Sequence, residues 1–455
     1  MDLDMRRVSQ LFKYQSRYAI YDGQYSQQHI NYEPLSRPPT RFIDVRGGIG
    51  DNIRLIHGKD MQSPIFFALS HRWGDKHEHQ FGCTLPSNVK HRFNGINLGE
   101  LPGNFQEAIE IAKAMGVRYL WIDLLCIVQM DSDDWKREAV RMEQMYSNAS
   151  CVLAASSSNS SIEGFLKNSR EKRPYVSVKS PRRKIVYVCK DKDDFHTDVE
   201  RSILNSRGWV LQERALARRI IHFTKNQAYF ECGNGIHCES LIKGNNGKAT
   251  LLGDSNFPRS AESFNKTVKI VIMQNLYKQY STLRFKFSQD HSVGISGLER
   301  RLTSAYDTRG GYGILEAYLE RRLLWKRDEA KYLERIQFPS GRSLSSWSWM
   351  AYSGTITYVE VGFNEVDWTN EYISPFASLT QSSNKRYWEA TSETRMPALE
   401  VSKVRPLTTR SSLDQVLANI SFDVAGVGCA LQDLRCVVLG KRKKTMGITF
   451  CLATC

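Results

Sequence analysis

No stretch of this 455-residue chain approaches the roughly 18 consecutive apolar residues of a membrane-spanning helix, so none is predicted. The opening Met1-Asp2-Leu3-Asp4-Met5-Arg6-Arg7 lacks the apolar core of a secretory signal. The ten cysteines follow no framework spacing, which in a chain of this size reads as reduced thiols in an intracellular protein. Cys232 and Cys238, with His237 beside the latter, are close enough to suggest zinc, but the second short-spaced pair is missing and no metal is expected. A Gly-rich loop followed by Lys-Ser/Thr is also lacking, which excludes a P-loop NTPase. No internal repeat is present.

What is there is ordinary globular composition, 41% hydrophobic and 24% charged, in a chain long enough for two or three domains. Lys and Arg number 63 against 48 Asp and Glu, a net +15. That excess suits phosphate-bearing partners, and it is equally compatible with a basic surface that binds nothing. Nucleic-acid binding is the weakest use of it; it would need the cations clustered on one face. The run Lys441-Arg442-Lys443-Lys444 resembles a basic targeting signal, although such runs are commonly solvated faces. A cytoplasmic location is expected, with nuclear import the lesser alternative.

Residues 1–60 are mixed and polar, and Gly47-Gly48 with Gly50-Asp51 punctuate a hairpin or loop, so this part reads as a lead-in packed on the main domain. The apolar run Ile65 to Leu69 predicts a buried strand ending in Ser70-His71-Arg72-Trp73-Gly74. A long loop without periodicity follows, from Asp75 to Leu98. Asn104 as N-cap with Glu107 three residues on predicts a capping-box start to a helix. Its apolar face is Phe105, Ala108, Ile109, Ala112 and Met115, and Gly116 is its stop. Arg118 to Ile122 is a second buried strand, ending at Asp123. A helix from about Asp134 to Asn148 places Glu138 inside a stripe of Trp135, Met142, Tyr146 and Ala149. Cys151 to Ala155 is a third strand, ending in serines.

This β-loop-α-β-α-β order predicts an α/β fold, a parallel sheet with right-handed crossovers. Ser70 to Trp73, Asp123 with Cys126 and Gln129, and Ser156 then gather on its carboxyl edge, where ligands of open α/β sheets bind. Glu138 is placed near the start of a helix beginning at that edge. After a basic excursion at 168–192, Arg207 to Glu213 begins a helical turn that stitches the last segment to the sheet. Arg219 to Phe223 and Gln227 to Phe230 form a strand pair around Lys225-Asn226. Gly244 to Ser260 is the best linker. Beyond it, helices near 262–280 and 312–328, strand-like segments at 347–349 and 354–361, and a β-rich end make a mixed α+β region.

Several of these stretches together resemble the fungal heterokaryon incompatibility (HET) domain family. They are Ala68-Leu69-Ser70-His71-Arg72-Trp73-Gly74, Leu101-Pro102 with its helix, and Leu120 through Gln129. Trp135, Glu138, Met142, Tyr146 and Ala149 continue the pattern, and Arg207, Trp209, Gln212 and Glu213 look like its closing motif. The commonest family form has Tyr in place of His71 and Asn or Asp in place of Val128. The resemblance implies a lead-in at 1–60, a HET domain at 61–215 with a TIR/flavodoxin-like sheet, and a C-terminal region at 216–455 of separate role. It also implies fungal non-self recognition and programmed cell death, with an incompatibility partner or a second copy of the chain as partner. Some TIR domains cleave the nicotinamide–ribose bond of NAD with a helical glutamate. By that analogy Glu138 is the catalytic candidate, NAD the substrate, and no cofactor is required.

Each candidate also has a plainer reading. A glutamate near a helix start is favoured by the helix dipole alone. Asp123 can orient a ribose hydroxyl, pair with Arg72, or only cap the following turn. His71 and Arg72 suit phosphate, since Arg presents a planar fork. Trp73 and Trp121 serve as core or hinge aromatics more often than as stacking platforms, Trp135 joins Ser70, His71, Arg72, Trp73 and Asp123 as a ligand-binding candidate, and Cys126 reads as a buried inert thiol. The competing role for the whole domain is a non-enzymatic module that assembles a death-signalling complex.

Overall fold

The computed structural model describes residues 39–47, 52–74, 82–166, 194–232 and 262–328, with shorter pieces between 175 and 189, 235 and 244, and 332 and 454. The chain divides into two compact units, Met1–Phe257 and Pro258–Cys455.

The first unit is built around central strands buried on both faces, which therefore need cover on both sides. In chain order they begin with β1 (Arg41–Asp44), β2 (Arg54–His57) and β3 (Phe66–Ser70). A short helix α1 (Val89–Asn94) falls within the segment expected to be loop. Helix α2 (Gly103–Ala114) leads to β4 (Tyr119–Trp121), then α3 (Ser132–Ala139), α4 (Met142–Asn148) and β5 (Cys151–Ala154). A β6–β7 hairpin (Tyr175–Lys179, Ile185–Cys189) occupies the basic excursion. Helix α5 (Gly208–Leu216) precedes β8 (Arg219–Phe223), β9 (Ala228–Cys232), β10 (Gly235–Cys238) and β11 (Lys243–Gly244).

The sheet runs β11-β10-β9-β8-β5-β3-β4-β1-β2. Its four central strands, β8-β5-β3-β4, are mutually parallel. The first of these in the chain is central, the second lies on one side, and the third and fourth lie on the other, which is the flavodoxin-like order. The α/β expectation is met, with the addition of antiparallel strands at both ends. Two of them, β1 and β2, come from the supposed lead-in: β1 pairs antiparallel with β4, Ile43 opposite Leu120. Strands β1 and β2 pair antiparallel; of the punctuating residues Gly47 is described, while Gly48, Gly50 and Asp51 lie outside the described residues.

Helix α2 buries Phe105, Ala108, Ile109 and Ala112 as its spacing requires. Gly116 follows its end at φ +77°, a left-handed position that glycine takes without steric cost. The capping box, however, is absent. Pro102 is the N-cap and has no side-chain cap bond. The Asn104 amide donates to the Ser160 carbonyl at 3.1 Å. Glu107 is buried and accepts from the backbone N–H groups of Phe165 and Leu166. A tertiary use of both side chains has replaced the local one. The helix expected over 134–148 is two helices, because the Arg141 N–H bonds to the Glu138 carbonyl three residues back and tightens the turn.

The second unit contains α6 (Lys266–Ser281), near the expected helix, and α7 (Ser296–Ala305). Residues 312–328 are not one helix: they hold the Ile314–Leu315 strand, the short Leu319–Arg322 helix and the Trp325–Arg327 strand. The Trp347 region forms a 3₁₀ turn, Trp349–Ala351, in place of a strand. Ile356–Tyr358 is extended as expected. Lys441 and Arg442 end the strand Arg435–Arg442, while Lys443 and Lys444 lie outside the described residues.

Glu107 ties α2 to the loop after β5, and Gly164 there, at φ +80°, passes so close that an added Cβ would meet Glu107 Oε1 at 2.8 Å. Glu107→Ala should leave two buried N–H groups without an acceptor, a loss of about 2–4 kcal/mol in urea denaturation at neutral pH. A loss below about 0.5 kcal/mol would show that the loop does not depend on this carboxylate.

Candidate functional site

The strand order changes direction next to β3, so the crevice of an open sheet is expected between the carboxyl ends of β3 and β5. Ser70 ends β3, and Ala154 opposite it ends β5. Around this point the chain gathers polar side chains that are almost wholly removed from water.

The Ser70 hydroxyl donates to Glu213 Oε2 at 2.5 Å, joining the first parallel strand to helix α5. The Tyr146 hydroxyl, brought in by α4, donates to the Leu69 carbonyl at 3.5 Å and lies close to Glu213. Arg207, at the start of α5, donates to the His71 carbonyl. Asp123 follows β4 and accepts from Trp73 Nε1 at 2.8 Å and from the Leu124 N–H at 2.7 Å. The turn-capping role of Asp123 is therefore realised, and Arg72 is not its partner. His71 Nδ1 stands 3.7 Å from Asp123 Oδ1, and the ring meets Phe105 edge to face at 5.1 Å.

Burial dominates the electrostatics. It pushes the Glu213 carboxyl up to about 7, against the pull of Arg207 and the Ser70 hydrogen bond. It pushes His71 down to about 4 despite the nearby Asp123 carboxylate. Burial likewise raises the Cys126 thiol to about 12, which makes it the inert thiol expected. A carboxyl raised to about 7 and an imidazole that is neutral at neutral pH thus share one edge.

Three buried polar atoms here have no hydrogen-bond partner: His71 Nε2, Trp121 Nε1 and Ser156 Oγ. The Arg72 guanidinium, half-buried beside them in sequence, has no side-chain partner among the described residues. Its backbone carbonyl and that of Trp73 accept from Ser161 Oγ at 3.1 and 3.2 Å, which fixes the turn.

Glu138 lies in a different cluster. It is 1% exposed and sits in the last turn of α3, not near the helix start. Its carboxylate accepts from the Thr40 hydroxyl and from Arg141 Nη1 at 3.0 Å, so it fastens the segment before β1. Alongside it, Arg41 bonds Asp134 and the Cys126 carbonyl, and Asp134 also takes Arg137 and the Val128 N–H. Trp135 meets Trp209 edge to face at 6.5 Å, joining α3 to α5. The structure therefore brings together Ser70, His71, Trp73 and Asp123. Glu138 and Trp135 are bonded elsewhere.

Sequence reasoning gave Glu213, Tyr146 and Arg207 only packing roles. The signal available was a glutamate within the apolar helix segment Gly208–Leu216, where a charged residue needs a partner to be buried. Cys232 and Cys238 fall opposite Gly235 and Tyr229 on the β9–β10 ladder. Among the described residues no group of three or more His, Cys, Asp or Glu is placed to hold a metal ion. Among the same residues no helix is long and apolar enough to cross a membrane.

The strand order, with a buried polar cluster at its switch point, defines a flavodoxin-like α/β domain. Residues 66–213 match the family described as heterokaryon incompatibility protein (HET). Residues 66–213, about a third of the chain, thus form a HET-family domain, which suggests a role in heterokaryon incompatibility. No curated protein and no solved structure matches it.

Glu213 and His71 make opposed contributions to stability with pH. Glu213 is raised in the fold, so its contribution is full below its unfolded value and is lost as pH rises toward about 7. His71 is lowered, so its contribution is present above its unfolded value of 6.5 and is lost as pH falls toward about 4. Between these limits the two slopes oppose one another. Glu213→Gln should expose the His71 slope, a loss of stability on acidification of up to about 1.4 kcal/mol per pH unit relative to wild type. Urea titrations of both proteins across this window test it; parallel profiles would show that Glu213 titrates as it does unfolded.

Proposed function

We propose that this HET domain executes cell death when incompatible fungal cells fuse, and that it does so by binding and cleaving a phosphate-bearing nucleotide at the switch point. NAD is the substrate expected from the similarity of HET to TIR domains, and no further cofactor is required. Recognition of an incompatibility partner, or of a second copy of the chain, supplies the trigger. The observation that carries the reading is Arg72, a guanidinium without a side-chain partner among the described residues, in the turn after β3. Arg72 takes the phosphate through its fork, and Asp123, on the next strand end, orients a ribose hydroxyl. His71, Trp73 and Ser70 form the wall of the same crevice.

Cleavage of a nicotinamide–ribose bond passes through an oxocarbenium-like centre, which a carboxylate stabilises. Glu138 is the acid that the TIR analogy names; Glu213 is the acid at the switch point. A second reading, assembly of a death-signalling complex without catalysis, is favoured by one observation. Both carboxylates are buried and already bonded within the domain, Glu138 to Thr40 and Arg141 and Glu213 to Ser70.

Purified full-length protein incubated with NAD should release free nicotinamide. Glu138→Gln and Glu213→Gln should each be compared with it. The true catalytic carboxylate should lose about 100-fold or more in kcat, while Arg72→Ala should mainly raise KM. Absence of nicotinamide release under conditions that allow self-association sinks the enzymatic reading for NAD. If cell death on expression then survives both glutamate substitutions, assembly is the function.

A further inference from the structure

At the opposite, amino-terminal edge of the sheet, where β1 ends and β4 begins, lies a cavity of about 200 Å³. Arg54, His57, Phe93, Arg118 and Tyr119 are among its walls, with Asp44 at its base. One wall is electrically closed. Arg118 grips Asp44 with two parallel hydrogen bonds, Nε to Oδ1 at 3.0 Å and Nη2 to Oδ2 at 2.8 Å, and gives Nη1 to Gln62 Oε1. The Arg46 N–H takes a further position on Asp44 Oδ1. This pair is neutral and fixed.

Arg54 is not closed. It projects from β2, its Nε is shielded from solvent, and that nitrogen has no acceptor. Among the described residues no carboxylate stands within ion-pair distance of its guanidinium. A shielded guanidinium N–H without an acceptor is costly, and an oxyanion is the group that removes the cost. Gly47 makes the space: a Cβ there would meet Asp44 Oδ2 at 2.5 Å and Arg54 Nε at 2.7 Å. Beside the cation the walls are flat. The His57 ring lies over Phe93 with centroids 4.5 Å apart and planes 31° from parallel, and the Tyr119 ring completes the lining.

Size and charge narrow the occupant. The space is below the ~300–1,000 Å³ of sites for larger ligands, so it accommodates one ring and not a dinucleotide. Asp60 on the lining repels polyanions, and Arg54, opposite Asp44 on the β1–β2 ladder, keeps its Nε without an acceptor. We propose that this cavity binds a small aromatic acid, a planar ring bearing one carboxylate or phosphate, with the oxyanion on Arg54 and the ring against His57 and Phe93. Gly47, Arg54 and His57 precede the segment that matches the HET family, so the site joins the added hairpin to the domain and is separate from the switch-point crevice.

The test uses the full-length chain with benzoate, phenyl phosphate and, as uncharged control, benzyl alcohol, read by calorimetry. At least one acid should bind saturably in the millimolar range or tighter, and benzyl alcohol should not. Arg54→Gln should weaken binding roughly tenfold or more. His57→Ala, at an exposed position, should weaken it by a smaller factor and keeps the test available if Arg54→Gln fails to fold. Binding of benzoate alone identifies a carboxylic acid, of phenyl phosphate alone a phosphate ester, and of both a general oxyanion site. Failure of both acids to bind, or equal binding by wild type and variants, overturns the proposal. NAD turnover is independent of either result, because none of these residues lies at the switch point.

Discussion

The hydrogen bond from Ser70 to Glu213 joins residues 143 positions apart, and the domain depends on that closure. Ser70 is the last residue of the central strand, and Glu213 stands in the helix that covers the sheet before β8. The family match begins at residue 66, the first of that strand, and ends at residue 213, the acid itself. The family segment thus opens on the strand that carries one partner of this buried contact and ends on the other. A buried acid next to a hydroxyl is tolerable only because each satisfies the other. Arg207 adds the compensating charge while tethering the His71 carbonyl, so one short segment closes the domain and sets its electrostatics.

The central sheet was legible because its strands are short apolar runs between glycines and polar ends, and because α/β connectivity limits how they can pair. The edges were less legible. β1 and β2 read as polar lead-in, yet Phe42, Ile43 and Leu55 are buried; four-residue strands are too short for alternation to stand out. Glu107 and Asn104 show the opposite error. Their spacing satisfied a local capping rule, and tertiary partners at 160–166 took both side chains. Glu138 was misplaced for the same reason: its decisive partner, Thr40, lies 98 positions away, where helical periodicity carries no information. The turn after β3 was read well, since a polar cluster ending a buried strand has few other places to go.

The carboxyl edge therefore holds two polar clusters built on different principles. Around Glu138 and Asp134 the acids are matched by Arg41, Arg137 and Arg141, an ion-pair network that fastens the β1 hairpin to α3. Around Glu213 the direct partner is the Ser70 hydroxyl. The first cluster matches its acids with directly bonded cations, whereas in the second burial raises Glu213 to about 7 against the pull of Arg207. The first arrangement stabilises structure and resists change. The second keeps an acid that can give up its proton when the local environment changes.

That contrast bears directly on where chemistry can occur. Glu213 is covered by α4 and α5, while Asp123 stays partly open, 14% exposed, at the end of β4. Asp123 is held by Trp73 and the backbone, and the His71 imidazole beside it is kept neutral by burial. Glu213, Asp123 and the Arg72 guanidinium thus stand on three neighbouring segments of one edge. Because those segments are the ends of buried strands and the start of a packed helix, their spacing is set by the core. The core thus fixes the geometry of the edge, and the edge is where this fold is free to act.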